Sequence, residues 1–473
     1  MNVHKFGETS LKDSERISSV GDIISDHWRK NMNAAHSENL PELIVVVSAM
    51  SCVYDDLIKG ALAAVNGDDL RYTEIKDGLL TKHHQTAQEL LRNKDERFKL
   101  NGIIEDYLHH LVQLYRSIAL IGELTVRVRD RIASIGELLS ANLLAAVLRE
   151  RGLLSQAVNA SEFIICDQKY GAAYPLIETI QKRAIAILRP QLANGIIPVI
   201  TGYIAATEDG VLTTLGRGGS DFTAAILGTC LQADEVWIWS DVNGILTADP
   251  SIVPHASTIS ELSYTEAAEL AQYGADVLHP NTIKALVGHD IPLRLLNSFH
   301  PENPGTLIVS DPNPTRRRSP AIISTTGLSL IRLSRNGNTG PWSLEQTGQV
   351  LITLNEAGLE IPMLSQSFSE ENLNLVIRQS ERELCLAILE NQLGDESIFS
   401  VEECVSTISV VGVPGWNGQN MLAHTFTALG KGDVPVIAIA QAASECSVSI
   451  CIPERDTTNT VRTLHQELGL DVI

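Results

Sequence analysis

Within residues 215–225, Leu-Gly-Arg-Gly-Gly-Ser-Asp-Phe-Thr-Ala-Ala, the five from Arg217 to Asp221 set a fixed cation, two glycines, a hydroxyl and a carboxylate side by side, ahead of small helix formers. Arg217 can hold a carboxylate through two parallel hydrogen bonds, a geometry that lysine cannot match. Gly218 and Gly219 let the backbone approach an anion and aim N–H groups at it. Ser220 and Asp221 then stand where a helix begins, with its positive end toward negative charge. The combination reads as an anion-handling turn.

Other residues could work beside it. Lys5 closes a short β-type run, and Gly7 and Ser10 follow in a turn, offering an ammonium, a close backbone and a hydroxyl. Ser48 and Ala49 end a second strand, where ligands of parallel sheets collect. Glu137 opens a helix of strong apolar periodicity; by itself it is equally a first-turn glutamate answering the helix dipole. Ser240 and Asp241 follow a further strand. Thr247 and Asp249 read equally well as a turn and cap device ahead of Pro250, and His279 reads as structural.

These residues are positioned by a chain that alternates strands and helices. Val3 to Phe6, Leu43 to Val47, Ile196 to Ile200 and Glu235 to Trp239 are short buried-type strands. Helical spacing begins at Leu11, fills residues 65–135 and returns over Leu176 to Leu188. The expectation is an α/β fold: a three-layer αβα domain on a mainly parallel sheet. Residues 311–320, Asp-Pro-Asn-Pro-Thr-Arg-Arg-Arg-Ser-Pro, join prolines to a basic run and read as a linker. Beyond it, two stretches each read strand, helix, strand, strand, helix. They carry a faint repeat, Ser365-Gln-Ser-Phe-Ser-Glu…Leu-Asn-Leu-Val-Ile377 against Ala440-Gln-Ala-Ala-Ser-Glu…Val-Ser-Ile-Cys-Ile452. Expected domains are therefore 1–310, the linker, and paired α+β modules over 321–398 and 399–473.

Composition excludes several classes. A formal charge of −21 argues against nucleic acid or an anionic membrane as partner. No apolar run is expected to span a bilayer. The seven cysteines form no Cys-x-x-Cys pair and sit in apolar surroundings, so reduced, mostly buried thiols in a cytoplasmic protein are expected and a zinc site is not.

The opening Lys5-Phe-Gly-Glu-Thr-Ser10 resembles the Lys-Phe-Gly-Gly-Thr-Ser of aspartate kinases, within the amino-acid kinase superfamily. Val47-Ser-Ala-Met50, Gly136-Glu-Leu-Leu-Ser140, Pro198-Val-Ile-Thr-Gly-Tyr203, Leu215 to Ala225, Ser240-Asp-Val-Asn-Gly244 and Val277-Leu-His-Pro280 follow in that family's order. The resemblance implies phosphoryl transfer from ATP, with Mg2+, to the β-carboxylate of L-aspartate. It implies Lys5, Ser10 and Asp221 at the reacting end, with Asp221 the best carboxylate to share a magnesium ion with the phosphates. Ser48, Ala49, Glu137, Arg217 and Ser220 would bind the acceptor, Glu137 through its amino group. Gly7, Gly218, Gly219, Ser240 and Asp241 would face the nucleotide. The paired modules resemble ACT domains, implying an amino-acid effector, lysine or threonine, and a homodimer or larger homo-oligomer. Ferredoxin-like packing modules without a ligand are the alternative.

Five positions depart from the family's pattern: Glu8, Tyr54, Leu246, Ser251 and Asp276. Glu8 and Asp276 add negative charge, and Ser251 and Asp276 stand where a cation is expected, so all but Tyr54 bear on the nucleotide side, with Lys284 a candidate to compensate. Two rival readings follow: a kinase for another amino-acid or carboxylate acceptor, and a regulatory protein that keeps the acceptor pocket without catalysis.

Overall fold

The computed structural model describes the chain apart from residues 35–39, 274–277, 314–318, 336–343, 368–371, 395–396, 413–420, 442–445 and 472–473. Its contacts divide it into two units, Met1–Gly244 with Val277–Asp311, and Ile245–Asp276 with Pro312–Ile473.

The first unit opens with β1 (Asn2–Phe6), α1 (Ser14–Ala34), β2 (Leu43–Val47), α2 (Val53–Val65), α3 (Asp69–Leu90), α4 (Lys94–Ile121), α5 (Val126–Ala133) and α6 (Ile135–Glu150). It continues through β3 (Ser155–Val158), β4 (Ile165–Cys166), α7 (Ile177–Ala193), β5 (Ile197–Thr201), β6 (Ile204–Thr207), β7 (Leu212–Thr214), α8 (Gly219–Leu231) and β8 (Glu235–Ser240). The chain then contributes β9 (Glu261–Ser263) and α9 (Tyr264–Gln272) to the second unit before returning with α10 (Pro280–Leu286), β10 (Leu293–Asn297) and β11 (Thr306–Val309).

Within the first unit the main sheet runs in the order β3-β5-β2-β1-β8-β10-β11. Its pairs from β3 to β10 are parallel, and β10 to β11 is antiparallel. Every residue of β2 is buried, as a β-branched run covered on both faces requires. A smaller sheet, β4-β6-β7, stands apart. Phe6, Ile17, Ile24, Leu57, Tyr115, Leu139 and Leu144 belong to one apolar core that ties α1, α2, α4 and α6 to the sheet.

The helical run Val126–Glu150 corrects one expectation, since it is long and apolar enough to cross a membrane by length and composition. Its apolar window is 89% buried inside the unit, so it serves as a core helix here. Seven free cysteines are present, of which Cys52 and Cys404 are exposed and the rest buried.

The second unit continues with β12 (Ala321–Arg335), α11 (Leu344–Glu356), β13 (Met363–Ser367), β14 (Asn372–Arg378) and α12 (Arg382–Leu393). The same order of elements follows in β15 (Ser397–Val411), α13 (Met421–Lys431), β16 (Ala438–Gln441), β17 (Ser447–Pro453) and α14 (Thr457–Glu467). The sheet order is β13-β14-β12-β15-β17-β16, so the two long strands lie antiparallel at its centre. Their register shifts between Thr325 and Leu330, where Gly327 takes φ +70° and Cys404, across the ladder, φ +55°. Each long strand serves two cores. Ile322, Ile408 and Val410 pack with Val461 and Leu464, whereas Ile331 and Leu333 pack with Leu373, Leu375 and Leu389.

By contacts Ile245–Asp276 groups with this second unit. Ala248 and Val253 bury among Ile322, Ile408 and Val461, and the Ile322 N–H donates to the Thr247 carbonyl at 2.8 Å. The Thr247 hydroxyl lies 3.0 Å from His465 Nε2, and His465 Nδ1 lies 2.6 Å from Asp471. Of the expected linker, residues 314–318 lie outside the described residues.

Candidate active site

The parallel strands β1, β2, β5, β8 and β10 end at Phe6, Val47, Thr201, Ser240 and Asn297, and the residues singled out by type gather at these ends. Lys5, one residue short of the end of β1, places Nζ 2.6 Å from Asp221 Oδ1, with the two side chains only 11% and 14% exposed. Asp221 lies in the first turn of α8. Gly7 stands beside this pair: a Cβ there would come 3.4 Å from the Lys5 ammonium, and its N–H donates to the Trp239 carbonyl at 3.2 Å.

The anion-handling turn owes its shape to glycine. Gly218 caps α8 at φ +70°, and a side chain there would put Cβ 2.4 Å from that of His279. Gly219 faces Tyr203, whose Cδ2 would lie 2.8 Å from an added Cβ. Gly202 allows Ser220 to approach, since its own Cβ would sit 2.6 Å from the Ser220 Oγ. Tyr203 takes φ +68°, an uncommon conformation for a bulky residue. Its N–H donates to the Thr223 hydroxyl at 3.1 Å, and that hydroxyl donates to the Gly219 carbonyl at 2.8 Å. Arg217 itself is exposed. His279 caps α10, accepting from the Asn281 N–H at 3.3 Å.

Glu137 forms the other half. Gly136 admits Ala49, whose Cβ would be 2.6 Å from one added at residue 136, so the start of α6 lies against the turn after β2. The Ala49 N–H donates to Glu137 Oε1 at 3.3 Å. Glu137 Oε2 is buried with no hydrogen-bond partner among the described residues. Burial pushes the Glu137 carboxyl up to about 8, against the pull of backbone N–H groups, including that of Ala49; Glu8 raises it and Lys5 lowers it. A buried carboxylate with an unused oxygen is a natural seat for an ammonium group. Ser48, beside it, donates its N–H to the Phe6 carbonyl at 3.2 Å.

Ser10 and Ser240 meet through a residue that the sequence reading did not single out. The Ser10 hydroxyl is buried 2.7 Å from that of Ser298, which donates to the Ser240 carbonyl at 3.0 Å. Asn297 donates to the Asp241 carbonyl at 3.2 Å and to Asn243 at 2.8 Å, which fixes the course of the 240–244 loop. Asp241 is exposed. Tyr203, Thr223, Asn297 and Ser298 were thus missed; Tyr203 and Thr223 stood inside stretches already marked as family-like, and Asn297 and Ser298 did not.

Among the departures, Glu8 is exposed at the site and its carbonyl accepts from the Ser51 hydroxyl at 2.9 Å. Tyr54 is half-buried, 6.3 Å from Tyr203 ring to ring. Ser251 donates its N–H and hydroxyl to Asp249 at 2.8 and 2.7 Å, so Asp249 builds a turn. Leu246 bridges to Thr258. Lys284 is exposed in the last turn of α10, and Asp276 lies outside the described residues.

A parallel sheet with a buried lysine, a glycine-rich helix start and a buried carboxylate with an unused oxygen at its carboxyl end is an arrangement that can hold anions and an ammonium group side by side, as small-molecule phosphoryl transfer requires. Residues 1–297 match the amino acid kinase family, and residues 408–468 match an ACT domain. The chain belongs to the amino acid kinase family. It is 30% identical to aspartokinase 1 (chloroplastic) of Arabidopsis thaliana, with 98% of this chain and 79% of that protein covered. It is 31% identical to the bifunctional aspartokinase/homoserine dehydrogenase 1 of the same plant, spanning about half of that relative's length (51%) and 99% of its own. Among solved structures, Escherichia coli aspartokinase III in complex with aspartate and ADP superposes with a TM-score of 0.81 at 26% identity, covering 99% of this chain and 100% of that one.

Proposed function

We propose that this chain transfers the terminal phosphoryl group of ATP to the β-carboxylate of L-aspartate, giving 4-phospho-L-aspartate. The observation that carries the reading is that the Lys5–Asp221 pair at the end of β1 and Glu137, whose Oε2 has no hydrogen-bond partner among the described residues and whose Oε1 accepts from Ala49 just after β2, converge at the ends of adjoining strands. The aspartokinase relatives and the aspartate- and ADP-bound structure of E. coli aspartokinase III support it.

Phosphoryl transfer between oxygens asks the protein to hold two anions in line and to neutralise developing charge. Glu137 takes the acceptor's ammonium group, and Arg217 takes its α-carboxylate. The N–H groups at the start of α8 and the Lys5 ammonium face the transferring group, and Asp221 orients Lys5. Gly7 keeps the space over the ammonium open, while Ser10 holds the opening turn through Ser298. The loop from Ser240 to Gly244 receives the nucleotide.

Among the described residues, no group of three or more His, Cys, Asp or Glu gathers to cage a metal. Magnesium is commonly held by phosphates and one or two carboxylates, and Asp221 would supply the protein's share. Bound there, the ion would offset negative charge on the phosphate oxygens. An amino-acid effector and self-association are assigned to the ACT-like modules, on the ACT match over 408–468. The buried Lys5 counts against a purely ligand-sensing role, which has no use for a phosphoryl-gripping cation.

The direct test is ADP release by the purified chain with Mg·ATP, with and without L-aspartate, trapping acyl phosphate with hydroxylamine. Aspartate-dependent ADP and hydroxamate are expected. Folded protein that produces neither would overturn the reading.

A further inference from the structure

The acceptor pocket has a wall that the mechanism above does not use. Helix α2 starts directly after the turn that carries Ala49, and Val53 packs against Gly136, its Cγ1 3.4 Å from where a Cβ would lie. Tyr54, the next residue, is therefore carried on the same turn of helix that abuts the start of α6 and Glu137. Its ring stands edge-on to Tyr203, centroids 6.3 Å apart at 86°. Tyr203 cannot easily retreat. Its backbone is held at φ +68° and its N–H is fastened to Thr223. From the open side, Arg129 donates to the Tyr54 hydroxyl at 3.4 Å. Tyr203 in turn packs on the start of α8, its Cδ2 2.8 Å from where a Cβ on Gly219 would lie, so the two rings reach from the helix turn beside Gly136 and Glu137 to the turn that carries Ser220 and Asp221.

We infer that Tyr54, braced by Arg129 and set against Tyr203, fixes the length limit of the acceptor pocket. It admits a four-carbon amino dicarboxylate and rejects the five-carbon homologue. The inference rests on the aspartate-kinase reading above. With the ammonium seated at Glu137, an acceptor extends from a fixed point, and an extra methylene must be absorbed by the wall. A rigid aromatic pair with a charged brace resists that shift, whereas a flexible aliphatic wall would yield. One methylene in such a pocket changes specificity by roughly 10–200-fold.

The test compares kcat/KM for L-aspartate and L-glutamate in the unaltered full chain and in Tyr54→Ala, Tyr54→Phe and Arg129→Ala, each checked by circular dichroism. Tyr54→Ala is expected to raise the glutamate-to-aspartate ratio about tenfold. Tyr54→Phe keeps the ring but loses the hydroxyl that Arg129 braces, so it should raise the ratio only by the smaller factor expected of Arg129→Ala. Arg129→Ala, at an exposed position, should raise it by a smaller factor, and it carries the test should the alanine variant at 54 fail to fold. An unchanged ratio in Tyr54→Ala, or in Arg129→Ala where only that variant folds, overturns the inference. A shift in Tyr54→Phe as large as in Tyr54→Ala also overturns it, because the hydroxyl and not the ring would then be responsible. An unaltered chain that does not phosphorylate aspartate would sink the parent reading as well, an outcome distinct from either.

Discussion

Lys5 Nζ and Asp221 Oδ1 lie 2.6 Å apart, joining the end of the first strand to the first turn of α8, 216 positions later in the chain (221 − 5). The pair is nearly enclosed, so each charge depends on the other for its place. A lone buried charge is costly, and a half-removed pair leaves one.

Replacing Lys5 with methionine should therefore have two effects. Turnover falls by roughly 10²–10³-fold, as for other groups that answer charge developing in the transition state. Stability falls too, through the orphaned Asp221. Acceptor binding at Glu137 should survive, so calorimetry with L-aspartate would still report binding. Full activity in Lys5→Met would refute the role assigned here.

Glu137 gives the clearest pH signature. Its carboxyl is raised to about 8 from a usual 4.5, chiefly by burial. A carboxyl raised in the folded state costs stability as it ionises, so stability is lost as pH climbs from about 4.5 through about 8. An ammonium ligand reverses the balance by favouring the carboxylate. Acceptor binding near pH 7 should release a proton, and acceptor KM should fall as pH rises toward 8. Glu137→Gln should abolish acceptor binding yet leave the protein more stable than the parent above pH 8. Calorimetry in buffers of different ionisation enthalpy would count the proton; a count of zero contradicts the assignment.

Two glycines with the same backbone angle separate strain from steric demand. Gly218 and Gly67 both take φ +70°, but an added Cβ would strike His279 at 2.4 Å in the first case and meet nothing within 4 Å in the second. Gly67→Ala should cost about 1 kcal/mol, from backbone strain alone. Gly218→Ala should cost more, about 2–4 kcal/mol, because it also displaces α10's cap. It should weaken nucleotide and acceptor binding together. Equal denaturant midpoints for the two variants would show that His279 moves aside freely.

Much of this site could be read from residue type, and the reasons are local. Lys5, Gly7 and the run from Arg217 to Asp221 sit at strand ends and a helix start, where the backbone periodicity already announces them. Other features depend on partners far along the chain. The Ser10 hydroxyl meets Ser298, 288 residues later, and nothing near Ser10 forecasts that bond. Tyr203 adopts a left-handed conformation that its residue type disfavours, so only its Gly202 neighbour hinted at a special turn. Residues 245–276 follow a strand of the first unit but bury Ala248 and Val253 in the core of the second, a choice made by apolar contacts with residues beyond 320. Alternation of strands and helices survives such contacts, which is why the fold class was legible in the sequence.

A last prediction concerns acid stability rather than catalysis. His4 is completely buried, stacked on Trp237 at 4.4 Å and 13°, and set at 66° to His27, also at 4.4 Å. Neither ring nitrogen of His4 has a hydrogen-bond partner among the described residues. Burial, with help from His27, holds its pKa well below 6.5, and burial and then Lys30 hold that of His27 at about 4. Both rings are neutral in the folded protein near neutrality. As pH falls below 6.5 the unfolded chain binds protons that the folded chain refuses, so stability is lost with falling pH over the window from 6.5 toward 4. Each such histidine contributes about 1.4 kcal/mol per pH unit to that slope. His4→Phe keeps the aromatic stack and removes one of these protons. Urea midpoints at pH 7.5 and 5 should therefore differ less for His4→Phe than for the unaltered chain. If the two proteins lose stability in parallel, His4 is not refusing a proton, and a polar partner must reach its ring.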